Sequence, residues 1–526
     1  MDKHFPIIYV RGFAMTRGEI DETSVDPFCG FNLGSTVYRA VADPAAKPRK
    51  FIFESPIVRL MKDHEYRDVY IDGEDLTEHL EWKDGIPRAS IVVYRYYDEA
   101  STVLGTAQTP PMTQFGLGLA DLVGRIQRLV CANASNELTP DTFKCYLVAH
   151  SMGGLVCRTF LQNPACDPNN MKRYVDKFFT YATPHNGIDV GGFNVPEWLS
   201  LDQINNFSRD RMFDYLGLDK KLKKDGKVDR VDWLPESSLS IERVFCLVGT
   251  NRSDYDVAAG LSRTFAGHGS DGLVRIENAV VCGIDKNAAA TRSAAKAFVY
   301  RAHSGFYGIV NSEEGYQNLT RFLFGDVRID IWMDLDTLDL PKDVQDAAAG
   351  KEVDALYQFE LLASPRGKLW YLTRRVSEED SVGCLRYQDW QQAPDRNRNF
   401  YLSSAFLAKT AMVDPARRSL AYSARLGIKV PDFEINRKLW VNEHFEGGYM
   451  FQDALLLEAF LPEAGGDGSW RVTGRWQSST DPANAVDLRV DFTKTPSVEV
   501  VAAFSSETKG KIAGRLRLVV SPWNVG

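Results

Sequence analysis

The chain has 526 residues, 44% hydrophobic and 25% charged, with a formal net charge of -8. That is a globular composition, long enough for two or more domains with substantial cores. The acidic balance excludes general nucleic-acid binding, which needs a basic face. Eight cysteines occur without a C-x-x-C pair, and Cys145 and Cys246 fall inside apolar runs. They read as buried free thiols in a reducing compartment.

Met1-Asp2-Lys3-His4 leads into the apolar run Ile7-Ile8-Tyr9-Val10 with no secretory leader pattern. No apolar run is long enough to span a bilayer. The expected location is the cytoplasm, or outside the cell by export without a cleaved leader. Ile7–Val10 reads as a buried strand, ending at Arg11-Gly12-Phe13. Residues 14–88 form an insertion with turn signals and charged stretches, expected as mixed helix and loop. Ile91–Tyr94 is the second buried strand. A helix is expected from Leu117, with Leu119, Leu122, Val123, Ile126 and Val130 on one face.

The run Lys144–Ala149 is the third strand, followed by His150-Ser151-Met152-Gly153-Gly154 and a helical pattern. Phe178–Tyr181, Val244–Val248 and Ala297–Tyr300 complete six strands, and a helix around 312–323 closes the unit. Apolar strands alternating with helices predict a parallel sheet covered on both faces. From Val327 the pattern changes to period two, through Leu335, then along 420–430, 486–492, 498–504 and 516–520. Many half-buried strands with few helical patterns predict an antiparallel β-sandwich. The fold class is therefore α/β, mostly parallel, with an all-β C-terminal domain. The boundary falls near Gly325, giving domains 1–325 and 326–526.

Strand, serine among small residues, helix: this is the layout of a nucleophile elbow. Side chains two positions either side of the serine would clash in so tight a turn. Ala149 and Gly153 are small enough. The serine then stands at a helix N-terminus, where backbone N–H groups favour developing negative charge. The Met152 N–H, directly after the serine, is an oxyanion donor on this argument. His150 adjoins the serine, but neighbouring side chains at such a turn diverge, so it is assigned to packing.

A serine hydroxyl needs a base, and the base a carboxylate that fixes its tautomer. In this strand-turn-helix class the order is Ser, acid, His. After Ser151 the α/β portion has His185, His268 and His303. His185 comes too early, and His268 reads as a loop residue. His303 follows the sixth strand, on the same rim as Ser151. The acid should follow the fifth strand. Asp271, in the turn Ser270-Asp271-Gly272-Leu273-Val274, is preferred to Asp256 or Asp254.

Four segments now carry a resemblance: Val10-Arg11-Gly12-Phe13, Ala149-His150-Ser151-Met152-Gly153, Ser270-Asp271-Gly272-Leu273-Val274 and Ala302-His303-Ser304-Gly305. Residues 5–325 resemble an α/β-hydrolase, similar in plan to compact bacterial lipases and esterases. The resemblance implies a triad of Ser151, Asp271 and His303, with Phe13 and Met152 N–H groups as the oxyanion hole. It implies a structural role for Thr183-Pro184-His185-Asn186-Gly187. Those enzymes usually have His-Gly where this chain has Arg11-Gly12, and a backbone donor needs no particular side chain there. The resemblance does not extend to 326–526.

Residues 188–240, between the fourth and fifth strands, are expected to cap the site. Trp198, Phe213 and Leu216 are candidate substrate contacts. Met212, Phe213, Leu216 and Leu218 can share one helical face. Lys220, Lys221, Lys223 and Lys224 are expected to extend that helix towards a membrane surface. Seven of the ten tryptophans lie beyond residue 325, with Trp470 and Trp476 in the core and Trp332 on a charged strand face.

No metal and no cofactor is expected: no H-E-x-x-H-like spacing occurs, and a serine mechanism needs no Lewis acid. Three functions fit. One is a serine carboxylester hydrolase for lipid or other apolar acyl esters. A second passes the acyl group to another acceptor, or attacks a thioester, an amide or a phospholipid. A third is a non-catalytic binding protein on a hydrolase scaffold. The pattern names no partner for the C-terminal domain.

Overall fold

The structure is a computed structural model. It describes the chain apart from residues 1–2, 13–34, 40–48, 54, 70–82, 97, 99–109, 189–206, 254–268, 306, 394, 413, 436–442, 463–468, 480–484 and 525–526. The chain divides into two compact units: residues 1–296 with 300–319, and residues 297–299 with 320–526.

The first unit is built on strands β1 (Ile7–Val10), β2 (Arg67–Asp68), β3 (Ser90–Tyr94), β4 (Cys145–His150), β5 (Val175–Tyr181) and β6 (Val244–Gly249). With β7 (Ala295–Val299) they form a sheet of order β7-β6-β5-β4-β1-β3-β2. Every pairing from β2 to β6 is parallel. All residues of β1, β4 and β6 are buried. That is why these strands read as continuous apolar runs instead of alternating ones. The two-residue β2 is too short to leave a sequence signal. A hairpin of Ser35–Arg39 with Arg49–Phe53 also lies in the stretch expected as helix and loop.

Helix α1 spans Pro56–His64, with the Ser55 hydroxyl accepting from the Val58 N–H as its cap. Helix α2 spans Met112–Ala132, starting five residues before the expected Leu117. Pro111 sets the start, and Met112 and Phe115 are buried in the extra turn. The glycines there weaken the helical signal but serve close packing. A Cβ on Gly116 would stand 3.0 Å from Thr159 Cγ2, on the neighbouring α3 (Met152–Gln162). Among the described residues no helix is long and apolar enough to cross a membrane.

Between β5 and β6 the chain contains α4 (Arg209–Tyr215), and its strand Trp233–Pro235 joins a small three-stranded sheet. The lysines do not extend α4. Gly217 turns the chain with φ +64, and Lys220–Leu222 form a separate 3-10 turn. Only a residue without Cβ takes that left-handed turn cheaply. Met212, Phe213, Leu216 and Leu218 are all buried, so the expected lipid-facing surface is packed inward. Helix α5 (Glu313–Phe324) follows β7.

Beyond residue 326 the described strands of the second unit form two antiparallel sheets. One sheet has order β11-β8-β17-β16, from β8 (Val327–Leu338), β11 (Asn399–Leu407), β16 (Val498–Ser506) and β17 (Ile512–Pro522). The other runs β10-β9-β12-β13-β14-β15: β9 (Val353–Pro365), β10 (Thr373–Arg375), β12 (Ser419–Ile435), β13 (Glu443–Phe460), β14 (Trp470–Trp476) and β15 (Val486–Val490). Gly383–Arg386 pairs with β9 as well. Period-two residues from both sheets, Trp470 and Trp476 among them, form one core. Trp332 is half-buried, with the Tyr401 ring at 5.0 Å and the Arg517 guanidinium 5.6 Å above it.

Candidate active site

Strand β4 ends at His150, and the next residue, Ser151, has φ 52 and ψ -127. A non-glycine residue in this region stores about 1–3 kcal/mol of strain, and such positions cluster at functional sites. The surroundings hold it there. The Ser151 N–H donates to the Tyr181 carbonyl at the end of β5, 2.9 Å away. A Cβ on Gly153 would sit 2.1 Å from the Val10 carbonyl oxygen, and one on Gly12 would sit 2.7 Å from Ser151 Cβ. Glycine is therefore required on both sides of the turn. Met152 opens α3, so its N–H is among the first-turn donors without an intrahelical partner.

His303 Nε2 lies 2.9 Å from Ser151 Oγ, and His303 Nδ1 lies 2.9 Å from Asp271 Oδ2. A carboxylate oxygen accepts, so Nδ1–H donates to Asp271 and Nε2 is left to accept from the serine hydroxyl. Ser151 is 8% exposed, His303 3% and Asp271 1%. The acid is itself fixed. Its Oδ1 accepts the N–H groups of Leu273 (3.0 Å) and Val274 (2.8 Å), and its carbonyl accepts the His303 N–H at 3.0 Å. Gly272, at φ 102, makes this turn possible. Gly249, closing β6, gives Asp271 its space: a Cβ there would stand 2.8 Å from Asp271 Cβ.

His150 does more than fill space. Its Nε2–H donates to the His303 carbonyl at 2.9 Å, and the two rings are 5.0 Å apart. Its Nδ1 faces Gly12, where a Cβ would come within 3.2 Å. The imidazole thus lies beside Gly12 of the loop after β1 and is bonded to the His303 loop. Burial holds its pKa well below the ordinary 6.5, and the neighbouring His303 adds to that. Nothing local in the sequence marks this role, because the partner is a backbone carbonyl 153 positions away.

A parallel sheet with helices, a strained serine between β4 and α3, and Asp271 and His303 in loops after β6 and β7 define a known architecture. The first unit has the α/β-hydrolase fold. No family model and no curated protein matches the chain. Among solved structures, it is similar to a mature-form lipase from Bacillus licheniformis, with 14% identity and a TM-score of 0.30, over 61% of this chain and 92% of that one. It is similar to phospholipase PlaB from Legionella pneumophila, with 11% identity and a TM-score of 0.28, over 84% and 91%. At these values the assignment of the hydrolase fold rests on the sheet order and the elbow geometry.

The structure does not bring every expected residue to the serine. Phe13, Trp198, Asp254, Asp256 and His268 lie outside the described residues. His185 is buried beside Thr180, 3.3 Å from its hydroxyl, and its carbonyl accepts from Arg158. Phe213 and Leu216 are displaced from their expected place. Gln162 and Asn163, at the C-terminal end of α3, donate to the Leu216 and Tyr215 carbonyls. Ser151 is at the other end of this helix, which is 11 residues or roughly 16 Å long. The Leu216 and Tyr215 carbonyls are thus held at the end of α3 away from Ser151. The periodicity gave a buried face but could not say which end of α3 it would bury against.

In the second unit Asp432, Glu434 and His444 come within reach of one cation. Glu434 on β12 faces His444 on β13, with His444 Nδ1 3.4 Å from Glu434, and Asp432 lies two residues before Glu434 on β12. All three are at least partly exposed, and His444 Nδ1 also lies 3.8 Å from Asp432.

Proposed function

We propose that this chain is a serine carboxylester hydrolase acting on lipid or other apolar acyl esters. The observation that carries the proposal is His303 bridging Ser151 and Asp271 at 2.9 Å on each side, within a buried and backbone-clamped site. Ser151 Oγ attacks the acyl carbon while His303 Nε2 takes the hydroxyl proton. Asp271 holds the neutral tautomer beforehand and steadies the imidazolium that forms. The oxyanion of the tetrahedral intermediate accepts from the N–H groups of Met152 and Phe13. As that intermediate collapses, His303 passes its proton to the leaving alcohol, and the acyl group remains as an ester on Ser151. Water then repeats the sequence, its proton moving to His303 and back to Ser151 Oγ as the acid leaves.

Residues 1–325 are taken as the catalytic domain, with the segment near 188–240 as its cap. The apolar stretch Trp198-Leu199-Ser200-Leu201 in that segment supports an apolar acyl group. The test is a series of p-nitrophenyl esters of rising chain length beside a phospholipid panel. Turnover that rises with acyl length and disappears in Ser151→Ala is the expected result. Turnover retained in Ser151→Ala, or none on any ester, would remove the proposal.

A further inference from the structure

One turn of the sandwich carries an apolar side chain into solvent. Leu369, between β9 and β10, is 102% exposed, whereas the other large apolar side chains exposed among the described residues reach at most 43%. The turn is pinned. The Lys368 N–H donates to the Pro365 carbonyl at 3.2 Å, and Gly367 turns the chain at φ 78. The Leu372 N–H then closes the loop onto the Ala363 carbonyl at 2.8 Å. Trp370 packs against the core with the Arg321 guanidinium 5.2 Å from its ring centre, and Leu372 is buried. Leu369 is thus held outward by anchored neighbours, and its apolar area stays in water unless something else covers it.

The surroundings are basic. Arg366 and Lys368, directly before Leu369, are exposed. The Arg366 N–H donates to the Ala421 carbonyl near the start of β12, at 2.9 Å. Arg417 and Arg418 lie just before that start, and the Leu461 N–H, just past β13, donates to the Arg418 carbonyl at 3.0 Å. These connections leave one end of the sheet together and bring Arg366, Lys368, Arg417 and Arg418 to it, all exposed. The described carboxylates there are occupied: Glu458 binds Arg417 and the Ser419 hydroxyl, and Asp414 caps the Ala416 N–H. This stands out on a chain of net charge -8.

We propose that the turn 365–372 docks the sandwich on an anionic phospholipid surface, with Leu369 in the acyl boundary and the cations on the headgroups. Trp370 and Tyr371, both half-buried, follow Leu369 with the amphipathic rings that suit the headgroup level. Basic residues gain from a negative leaflet, and an apolar side chain gains by entering it. A protein partner is the poorer match: a stable interface buries roughly 1,000 Å² or more against a complementary shape. A bilayer takes up a single protruding side chain without one. The proposal does not rest on ester hydrolysis.

The test is sedimentation of the full-length Ser151→Ala protein with sucrose-loaded vesicles, of phosphatidylcholine alone or mixed equally with phosphatidylglycerol. Turnover plays no part in it. At low salt, binding to the anionic vesicles should be about tenfold or more the stronger. Leu369→Ser, at a fully exposed position, should leave melting unchanged and weaken that binding by about tenfold, while Leu369→Phe should keep it. Arg366→Gln with Lys368→Gln should weaken it by about tenfold, with the difference shrinking as salt rises.

No binding, equal binding to the two vesicle types, or equal binding by Leu369→Ser and its parent would overturn the proposal. So would loss of binding on neutralising Lys220, Lys221, Lys223 and Lys224 while Leu369→Ser binds normally. A change of oligomeric state in Leu369→Ser, with vesicle binding intact, would assign the turn to a second copy of the chain and overturn it too.

Discussion

In the sandwich, Arg328 lies 3.1 Å from Asp330 and Arg517 lies 2.6 Å from Asp334. Glu360 accepts from the Ser377 and Tyr449 hydroxyls, and the buried Arg375 donates to the carbonyls of Ser381 and Leu402. These groups are matched by neighbours on a ladder or on its flanks, and the pairing is structural. In the first unit, Ser151, His303, Asp271 and His150 sit where strands end and loops begin. Their partners are one another and a few backbone groups. An antiparallel ladder places cross-strand partners at regular spacing. A parallel sheet instead releases its carboxyl ends into loops, where polar groups can be aimed at a reacting atom. The lesson is that burial of charge alone does not mark a site; what marks it here is convergence on a strained serine.

The largest expected effects sharpen this contrast at the triad. Ser151→Ala should lower ester turnover by about 10⁴–10⁶ with little change in melting, and Asp271→Asn by about 10⁴. Esterase assays beside thermal scans check both. Comparable losses from an exposed sandwich substitution such as Lys494→Ala would break the division of labour.

Next in size is a pure stability effect. Arg328→Met takes the counter-charge from the buried Asp330, which keeps the Ser404 hydroxyl as a donor, and should cost about 3–5 kcal/mol of unfolding free energy in the second unit. Denaturant titration followed by tryptophan fluorescence measures it, and turnover per folded molecule should not move. A turnover loss with unchanged stability would show that this pair belongs to the chemistry.

His150→Phe keeps ring volume but removes the N–H donated to the His303 carbonyl. A lost hydrogen bond costs about 0.5–1.5 kcal/mol, enough for up to roughly a tenfold loss in kcat. KM should hardly change, and His150→Gln, which restores an N–H donor, should recover part of the loss. An unchanged kcat in His150→Phe would return His150 to packing.

The smallest effect separates the units by pH. Burial holds His150 and His185 well below their ordinary 6.5. Below that value the unfolded chain binds protons that the folded unit refuses, so their contribution is present above 6.5 and is lost as pH falls. The only histidine of the second unit, His444, has a side chain 57% exposed. From about pH 7.5 to about pH 5 the first unit's calorimetric transition should drop further than the second's, and His185→Phe should reduce the difference. Parallel shifts of the two transitions would contradict this.

Where the physics is local, the chain could be read directly. The elbow demands small residues at Ala149 and Gly153, and the buried parallel strands must be continuous apolar runs. The tight turn at Asp271 is legible because Gly272 follows it, and backbone N–H groups in such a turn can orient a carboxylate. Three features depend on distant partners and leave no local trace. Pairing alone makes a strand of Arg67–Asp68. The helix carrying Phe213 shows an apolar face, yet only tertiary packing decides that it meets Gln162 and Asn163. The lysine run looked like a helical continuation because periodicity ignored Gly217, whose left-handed φ ends the helix.

The central claim is that Ser151 is a nucleophile activated by His303. It is tested most directly by labelling the full-length protein with a fluorophosphonate probe and mapping the modified peptide. The account predicts close to one phosphonyl group per chain, on Ser151, with no labelling in Ser151→Ala and greatly slowed labelling in His303→Ala. Labelling at another residue, or an unlabelled Ser151 in folded protein that still hydrolyses esters, would contradict it.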